Sequence, residues 1–200
     1  MKKIMFNDKY GLTKAVLEGR KTQTRRIAHI TQHQFELLTG VHPKAPKELI
    51  QSILDTTSRF KVGEIVAVAQ SMCDVYAEYD MKYSGKDTKD LMKKFGGSAC
   101  FNNKMFVKAS EMPHQIRITN VRIQRLQDIS YEDCIKEGIR KDVRYSFIEN
   151  VKQSDGDNLA FSCNFNSPRE AYAALIDKVS GKGTWHSNPF VFVYDFELIK

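Results

Sequence analysis

The end of the chain is the feature that most restricts its fold. Residues 189–199 alternate aromatic side chains with aliphatic ones, and the run contains Phe190, Val191, Phe192, Val193, Tyr194, Phe196 and Leu198. A β-strand with apolar side chains pointing in both directions is normally covered on both faces. The run therefore predicts a strand that is buried on both faces, so that the chain ends inside its own core.

The length and composition are those of a folded globular domain. The chain has 200 residues, of which 42% are hydrophobic and 28% are charged. These fractions lie close to globular averages, and a chain of this length can bury a sizeable core. Because no internal repeat or long linker divides the sequence, we expect a single domain over residues 1–200.

The apolar stretches of the sequence predict neither a membrane segment nor a secretion signal. The apolar residues 4–6 are followed at once by Asn7, Asp8 and Lys9, which leaves too short a core for a signal peptide. No other stretch approaches the roughly 20 apolar residues of a membrane span. We therefore expect a soluble, cytoplasmic protein with no membrane partner.

The cysteines and histidines lack the spacing of metal ligands. His29 and His33 are four residues apart, but no third ligand of a suitable type lies near them in the sequence. The four cysteines contain no Cys-x-x-Cys pair, and they are Cys73, Cys100, Cys134 and Cys163. We predict free buried thiols, no metal and no cofactor.

Hydrophobic periodicity and capping signals divide the chain into alternating strands and helices. Strands are predicted over 2–6, 65–69, 105–107, 115–126 and 189–199, and helices over 10–19, 46–54, 130–138 and 167–181. The polar stretch 74–103 is the least ordered in character, and the stretch 139–166 is predicted to be a surface loop. The pattern as a whole indicates an α+β fold.

A dense basic segment follows the first predicted helix. Four cations lie within seven residues, with two threonines between them, and the six are Arg20, Lys21, Thr22, Thr24, Arg25 and Arg26. One interpretation is a solvated helix end, where cations oppose the negative end of the helix dipole. The other is an anion site, because arginine forks and threonine hydroxyls bind phosphate or carboxylate groups.

The net charge of the chain and the position of Lys21 both favour the interpretation as an anion site. The net charge of +7 favours polyanionic partners through long-range attraction. Lys21 stands among three arginines, and their charges favour its neutral form. A neutral lysine can act as a nucleophile or a general base, so Lys21 is a candidate catalytic residue.

Several pieces of the chain, taken in order, resemble the ASCH family of the PUA-like superfamily. They are residues 17–26, 61–66 and 125–130, the helix end at 134–138, and the closing strand. The resemblance implies a PUA-like mixed β-barrel flanked by helices, with insertions at about 30–60, 74–103 and 139–166. It also implies a cleft beside the barrel that is associated with RNA or modified nucleosides.

The resemblance further implies three site residues. One compact bacterial branch of the family removes the acetyl group from N4-acetylcytidine with a lysine, a threonine and a glutamate, which match Lys21, Thr24 and Glu137. In that role Lys21 would attack the acetyl carbonyl or activate the attack. Thr24 would stabilise the oxyanion, and Glu137 would orient Lys21 and carry its proton.

Three functional hypotheses follow. The first is a binding module for RNA or a nucleotide-like ligand, in which Arg20, Thr22, Arg25 and Arg26 line the cleft. Trp185 either provides a stacking platform for a base in this module or packs against the core. The second hypothesis is a metal-independent amidohydrolase of acylated nucleosides. The third is an adaptor that binds a protein partner through the inserted segments.

Overall fold

The computed structural model describes residues 1–39, 47–83, 99–152 and 158–199. They form two compact units. The first unit contains Met1–Phe6, Ile65–Ile116 and the last residues from Leu198 on, and the second contains Asn7–Glu64 and Arg117–Glu197.

Strands and helices are interspersed along the described parts of the chain. The strands are β1 (Lys2–Ile4), β2 (Gln23–Ile27), β3 (Ile65–Val68), β4 (Gln115–Arg125), β5 (Arg140–Lys141), β6 (Tyr145–Lys152), β7 (Asn158–Phe165) and β8 (Phe190–Leu198). The helices are α1 (Leu12–Leu17), α2 (Gln32–Thr39), α3 (Lys47–Thr57), α4 (Met72–Tyr83), α5 (Ala99–Asn102), α6 (Tyr131–Lys136), α7 (Pro168–Ser180) and α8 (Thr184–Ser187). The fold is α+β, as predicted.

The strands form two sheets. One has the order β1-β3-β4-β8-β2, and the other has the order β5-β6-β7. Strands β2 and β8 are antiparallel, with Thr24 opposite Tyr194 and Arg25 opposite Val193. Within the described residues neither sheet closes into a barrel.

The closing strand β8 is buried on both faces along its middle, which confirms that part of the prediction. The expectation that the core continues to residue 199 is wrong, because Glu197, Leu198 and Ile199 are exposed. Its residues 191–194 are all buried, although successive side chains point to opposite sides of the sheet. In the first unit, β1 runs parallel to β3, and Ala67 packs in a core with Met72 and Val75 of helix α4.

Helix caps that are visible in the sequence form as expected. The hydroxyl of Ser130 accepts a hydrogen bond from the backbone N–H of Asp133 at the start of α6. The hydroxyl of Ser167 does the same for Glu170 at the start of α7, where Pro168 occupies the first turn. Both side chains satisfy an N–H group that has no partner within the helix.

The predicted strand over 105–107 is wrong. Lys104–Phe106 is a 3-10 helix, because the side chain of Asn103 accepts a hydrogen bond from the N–H of Met105 and starts a turn. The low order predicted for the stretch 74–103 is also wrong at its ends, because helices α4 and α5 cover them. Residues 84–98 lie outside the described residues.

The loop predicted over 139–166 is wrong as well. Strands β6 and β7 form an antiparallel hairpin, and β5 pairs with the outer side of β6. One side of the hairpin is apolar, because Phe147 is buried and stacks on Phe165 with ring centroids 5.7 Å apart. Polar residues alternate with these aromatic residues along the two strands. Because half of the positions are polar, the sequence of such a half-buried strand resembles that of a surface loop.

The stretch 30–60 is helical in the described residues. Helix α3 confirms the helix predicted over 46–54, although Pro46 at its start lies outside the described part. Helix α2 was not predicted. In the described parts of the chain, no helix is long and apolar enough to cross a membrane.

Candidate functional site

The segment between helix α1 and strand β2 is held by backbone hydrogen bonds. Gly19 has a positive φ of 70°, and the N–H groups of Arg20 and Lys21 both donate to the carbonyl of Ala15 at 2.9 Å. The N–H of Thr22 then donates to the carbonyl of Lys136 at the end of α6. These contacts position the segment beside the C-terminal end of α6.

Lys21 is buried against the residue that ends helix α6. Its ammonium nitrogen lies 2.5 Å from Oε2 of Glu137 and 2.8 Å from the backbone carbonyl of the same residue. Both side chains are almost fully buried, with 2% of the Lys21 side chain and 5% of the Glu137 side chain exposed. The two residues form a buried ion pair across 116 positions of sequence.

Arg25 binds the second oxygen of the Glu137 carboxylate. Its guanidinium donates to Oε1 of Glu137 at 3.0 Å and to Oδ2 of Asp133 at 2.9 Å. It also donates to the side-chain carbonyl of Gln23, which lies two residues earlier on the same face of β2. Each oxygen of the Glu137 carboxylate therefore has a cationic donor.

Further polar residues extend the network beyond Arg25. Asp133 also accepts from Arg122 at 2.7 Å and from Gln23 at 3.1 Å. Gln23 donates in addition to Asp195 at 2.5 Å, and Arg122 contacts the same carboxylate. Lys21, Arg25 and Arg122 thus face three carboxylates, so their charges are matched within the network.

Burial changes the protonation of these groups. Burial lowers the pKa of Lys21, and the charges of Arg26 and Arg25 lower it further, against the opposing effect of Glu137. Burial raises the pKa of Asp133, but hydrogen bonds from Arg25 and Gln23 outweigh it and hold that pKa below its ordinary value. The site therefore favours an ionised aspartate and a lysine that loses its proton more readily than usual.

Two buried donors remain beside this network. The hydroxyl of Tyr172 and Nε of Arg25 have no hydrogen-bond partner within the described residues. The Arg25 guanidinium carbon lies 5.9 Å from the centre of the Tyr172 ring, so the two donors belong to one neighbourhood. They can donate to an additional small polar group.

Thr24 lies apart from the other two members of the predicted triad. In strand β2 it points to the face opposite that of Gln23 and Arg25. It is buried and stands opposite Tyr194, and within the described residues its hydroxyl donates to neither Lys21 nor Glu137. The fold thus joins Lys21 to Glu137 and directs Thr24 to the other side of the sheet.

The other predicted binding residues are spread over the surface of this unit. Arg20 is half-buried and donates to Glu18 at 2.8 Å, Thr22 is half-buried, and Arg26 is exposed. Trp185 packs edge-on against Tyr172, with ring centroids 6.2 Å apart. Within the described part of the chain, Lys21 and Arg25 of the basic segment bind the Glu137 carboxylate directly, and the charge of Glu137 also acts on Arg26.

Several residues of the network were not identified from the sequence, namely Gln23, Arg122, Asp133 and Asp195. A signal existed for Asp133, because it lies four residues before Glu137 and two carboxylates at that spacing share one helix face. A signal also existed for Asp195, which is one of only two acidic residues in the largely apolar strand β8, the other being Glu197.

The described residues contain no cluster of three or more histidine, cysteine, aspartate or glutamate side chains suited to a metal ion. Comparison of the chain with models of protein families, with curated proteins and with solved structures finds no match. The functional argument therefore depends on the geometry of the site.

Proposed function

We propose that the protein is a binding module for RNA or a nucleotide-like ligand. In this proposal the chain has a PUA-like fold of the ASCH type, and its open five-stranded sheet corresponds to the barrel of that fold. The exposed cations that accompany strand β2 contact the phosphate groups of the ligand. The ASCH-like order of sequence pieces and the net charge of +7 support this assignment.

The observation that carries the proposal is the contrast between neighbouring residues of β2. Arg25 is buried and paired with Glu137 and Asp133, whereas the next residue, Arg26, keeps a solvent-exposed surface, although partial burial lowers the pKa of its guanidinium. The buried ion pairs fix the backbone from which Arg26 projects, so less conformational freedom is lost when it binds an anion. Buried cations thus orient the strand, and exposed cations are accessible to the ligand.

The test is titration of the protein with fluorescently labelled single-stranded RNA at several salt concentrations. We expect Arg26→Gln to weaken binding and to reduce the slope of log K against log salt by about 0.7, the value for one phosphate contact in a single strand. Arg117→Gln is the matched control, because it removes one exposed cation from another strand. Absence of binding at low salt, or equal effects of the two variants, would contradict the proposal.

The contact between Lys21 and Glu137 favours a second candidate, an amidohydrolase of acylated nucleosides. A nucleophile or base must be close to the group that takes up its proton, and here the two atoms are 2.5 Å apart. The lowered pKa of Lys21, caused first by burial, increases the fraction of the neutral amine. Both features suit the roles that the ASCH resemblance implies for these residues.

The reaction would consume one water and release the free amine and a carboxylic acid. In one route neutral Lys21 would remove a proton from the attacking water, and Glu137 would carry that proton to the leaving nitrogen as its bond to the acyl carbon breaks. In the other route Lys21 would attack the acyl carbonyl carbon and displace the amine, which receives the lysine proton through Glu137, and the water would then cleave the acyl–lysine bond and release the acid. Because Thr24 points to the opposite face of β2, the oxyanion role that the resemblance gives to it would fall to another donor, and the unpartnered hydroxyl of Tyr172 is one candidate.

This candidate is tested by incubation with N4-acetylcytidine and chromatography of the products. We expect turnover by the parent and by Arg117→Gln, and at least a hundredfold loss in Lys21→Met, as is typical when an acid–base group is removed. Circular dichroism separates a loss of chemistry from a loss of folding. Turnover that survives in Lys21→Met, or no turnover by the pure parent, excludes this candidate.

A further inference from the structure

The second unit contains a cavity that is separate from the buried ion-pair network. Its volume is about 190 Å³, and its wall combines helix α1, the basic segment and the hairpin β6–β7. The polar lining residues are Tyr10, Lys14, Arg20, Arg140 and Asn150. Gly138 forms part of the wall on the side of Lys21, and a Cβ atom placed on it would lie 3.6 Å from Cβ of Lys21.

The side chains that line the cavity carry an excess of positive charge. Of its three cations, Lys14 and Arg20 share one carboxylate, that of Glu18, at 3.9 Å and 2.5 Å respectively. Arg140 forms no ion pair within the described residues, so its charge is not compensated there. Three cations against one carboxylate leave an excess of positive charge around one small volume, which favours an anionic occupant.

The remaining lining residues and the volume of the cavity limit the size and the chemistry of this anion. Ala15, Ile148 and Ala160 supply an apolar surface between the cations. The volume lies below the range of about 300–1,000 Å³ that holds drug-sized ligands, so a polynucleotide or a whole dinucleotide does not fit inside. Arginine binds phosphate oxygens with two parallel hydrogen bonds, and two arginines reach this cavity.

We propose that this cavity is a binding site for a small phosphate-bearing anion, either inorganic phosphate or a compact phosphomonoester, held by Lys14, Arg20 and Arg140. Ile148, Asn150 and Ala160 come from the hairpin in the segment 139–166, so the pocket depends on the part of the chain that the ASCH resemblance marks as an insertion. The site goes beyond the proposed function: it shares Arg20 with the basic segment, but Lys14 and Arg140 lie outside residues 20–26.

The experiment is calorimetric titration of the full chain with inorganic phosphate and with glycerol phosphate, at constant ionic strength. We expect saturable binding with one equivalent, weakened at least tenfold in Arg140→Gln. Arg144→Gln is the matched control, because Arg144 is an exposed arginine near the same strands that does not line the cavity. Its affinity is expected to stay within twofold of the parent.

A second variant tests the cavity without changing charge. Ala160 is exposed on β7, so Ala160→Phe adds a ring to the cavity with little risk to folding, and we expect it to abolish phosphate binding while circular dichroism is unchanged. Tighter binding of glycerol phosphate than of phosphate identifies a phosphomonoester ligand, and equal binding identifies free phosphate.

The proposal is overturned if the parent shows no saturable heat with either anion at millimolar concentration. It is also overturned if Arg140→Gln and Arg144→Gln lose affinity equally, since this indicates unspecific attraction by surface charge. RNA affinity lost in Arg140→Gln without any phosphate binding would assign the cavity to nucleic acid instead. None of these results changes the outcome of the Arg26→Gln titration.

Discussion

The ammonium nitrogen of Lys21 lies 2.5 Å from Oε2 of Glu137, and both side chains are withdrawn from solvent. This pair links the segment before strand β2 to the end of helix α6. A buried ion pair is stable only while both partners are charged or both are neutral, because a single unpaired charge is poorly solvated there. The Lys21–Glu137 pair therefore helps to stabilise the second unit, whichever of the two proposed functions is correct.

Removal of the Lys21 charge is expected to destabilise the protein. Lys21→Met leaves one oxygen of Glu137 without its cationic donor, and the loss of one partner of a buried pair lowers the free energy of unfolding by about 3–5 kcal/mol. Urea unfolding at neutral pH measures this change. Arg117→Ala, which breaks an exposed pair with Glu197, is the control and is expected to change it by less than about 1 kcal/mol. Similar values for the two variants would contradict the structural role of Lys21.

Stability is expected to fall in acid through Asp133. Its pKa in the folded state lies below the ordinary value because hydrogen bonds from Arg25 and Gln23 outweigh the effect of burial. At pH values between that lowered pKa and about 3.9, the unfolded chain therefore binds more protons than the folded one. The contribution of Asp133 to the free energy of unfolding is fully present above this pH range, and it is lost as the pH falls through the range.

Urea unfolding of the parent and of Asp133→Asn across this pH range tests the acid dependence. We expect the difference in unfolding free energy between the two proteins to be largest near neutral pH and to shrink below about pH 4. A difference that does not change with pH would mean that Asp133 titrates normally in the folded protein.

Gly138 is expected to resist substitution because of its backbone conformation. Its φ of 104° lies in the left-handed region, and a Cβ atom there would lie 3.5–3.7 Å from Leu12, Ala15 and Lys21, which is ordinary van der Waals contact. Because a non-glycine residue in this region is strained by about 1–2 kcal/mol, Gly138→Ala should lower the unfolding free energy by about that amount, as urea unfolding can measure. Gly63→Ala is the comparison, since Gly63 also has a positive φ but no described atom lies within 4 Å of a Cβ placed on it, and we expect a similar loss. A much larger loss in Gly138→Ala would contradict backbone strain as the main cause.

Cys134 is expected to be unreactive in the folded protein. Burial raises the pKa of its thiol to about 12, so almost no thiolate exists near neutral pH. Mass spectrometry after treatment with iodoacetamide at pH 8 should find Cys134 unmodified, while Cys73, Cys100 and Cys163, which are only partly buried, react first. In urea all four should react. Early modification of Cys134 would indicate that the network around Glu137 opens readily.

The local elements of the fold were largely predictable. The caps at Ser130 and Ser167 depend on a few neighbouring residues, so their helices begin where the sequence indicates. The hairpin β6–β7 was missed because polar residues on its outer side hide the alternation. The 3-10 helix at Lys104–Phe106 was missed because the Asn103 side chain overrides an apolar triplet.

The sequence by itself determined that a dense cluster of cations follows helix α1 and that the aromatic and aliphatic residues 191–194 belong to a core strand. It also suggested Lys21 and Glu137 as partners, through a family resemblance and not through any local pattern. Only the tertiary structure decided which cations are buried. Strand alternation points Arg25 toward the carboxylates of Asp133 and Glu137 and points Thr24 to the opposite face, while Lys21 reaches Glu137 from the segment before β2. Such long-range pairing is set by packing and desolvation, which local periodicity does not encode.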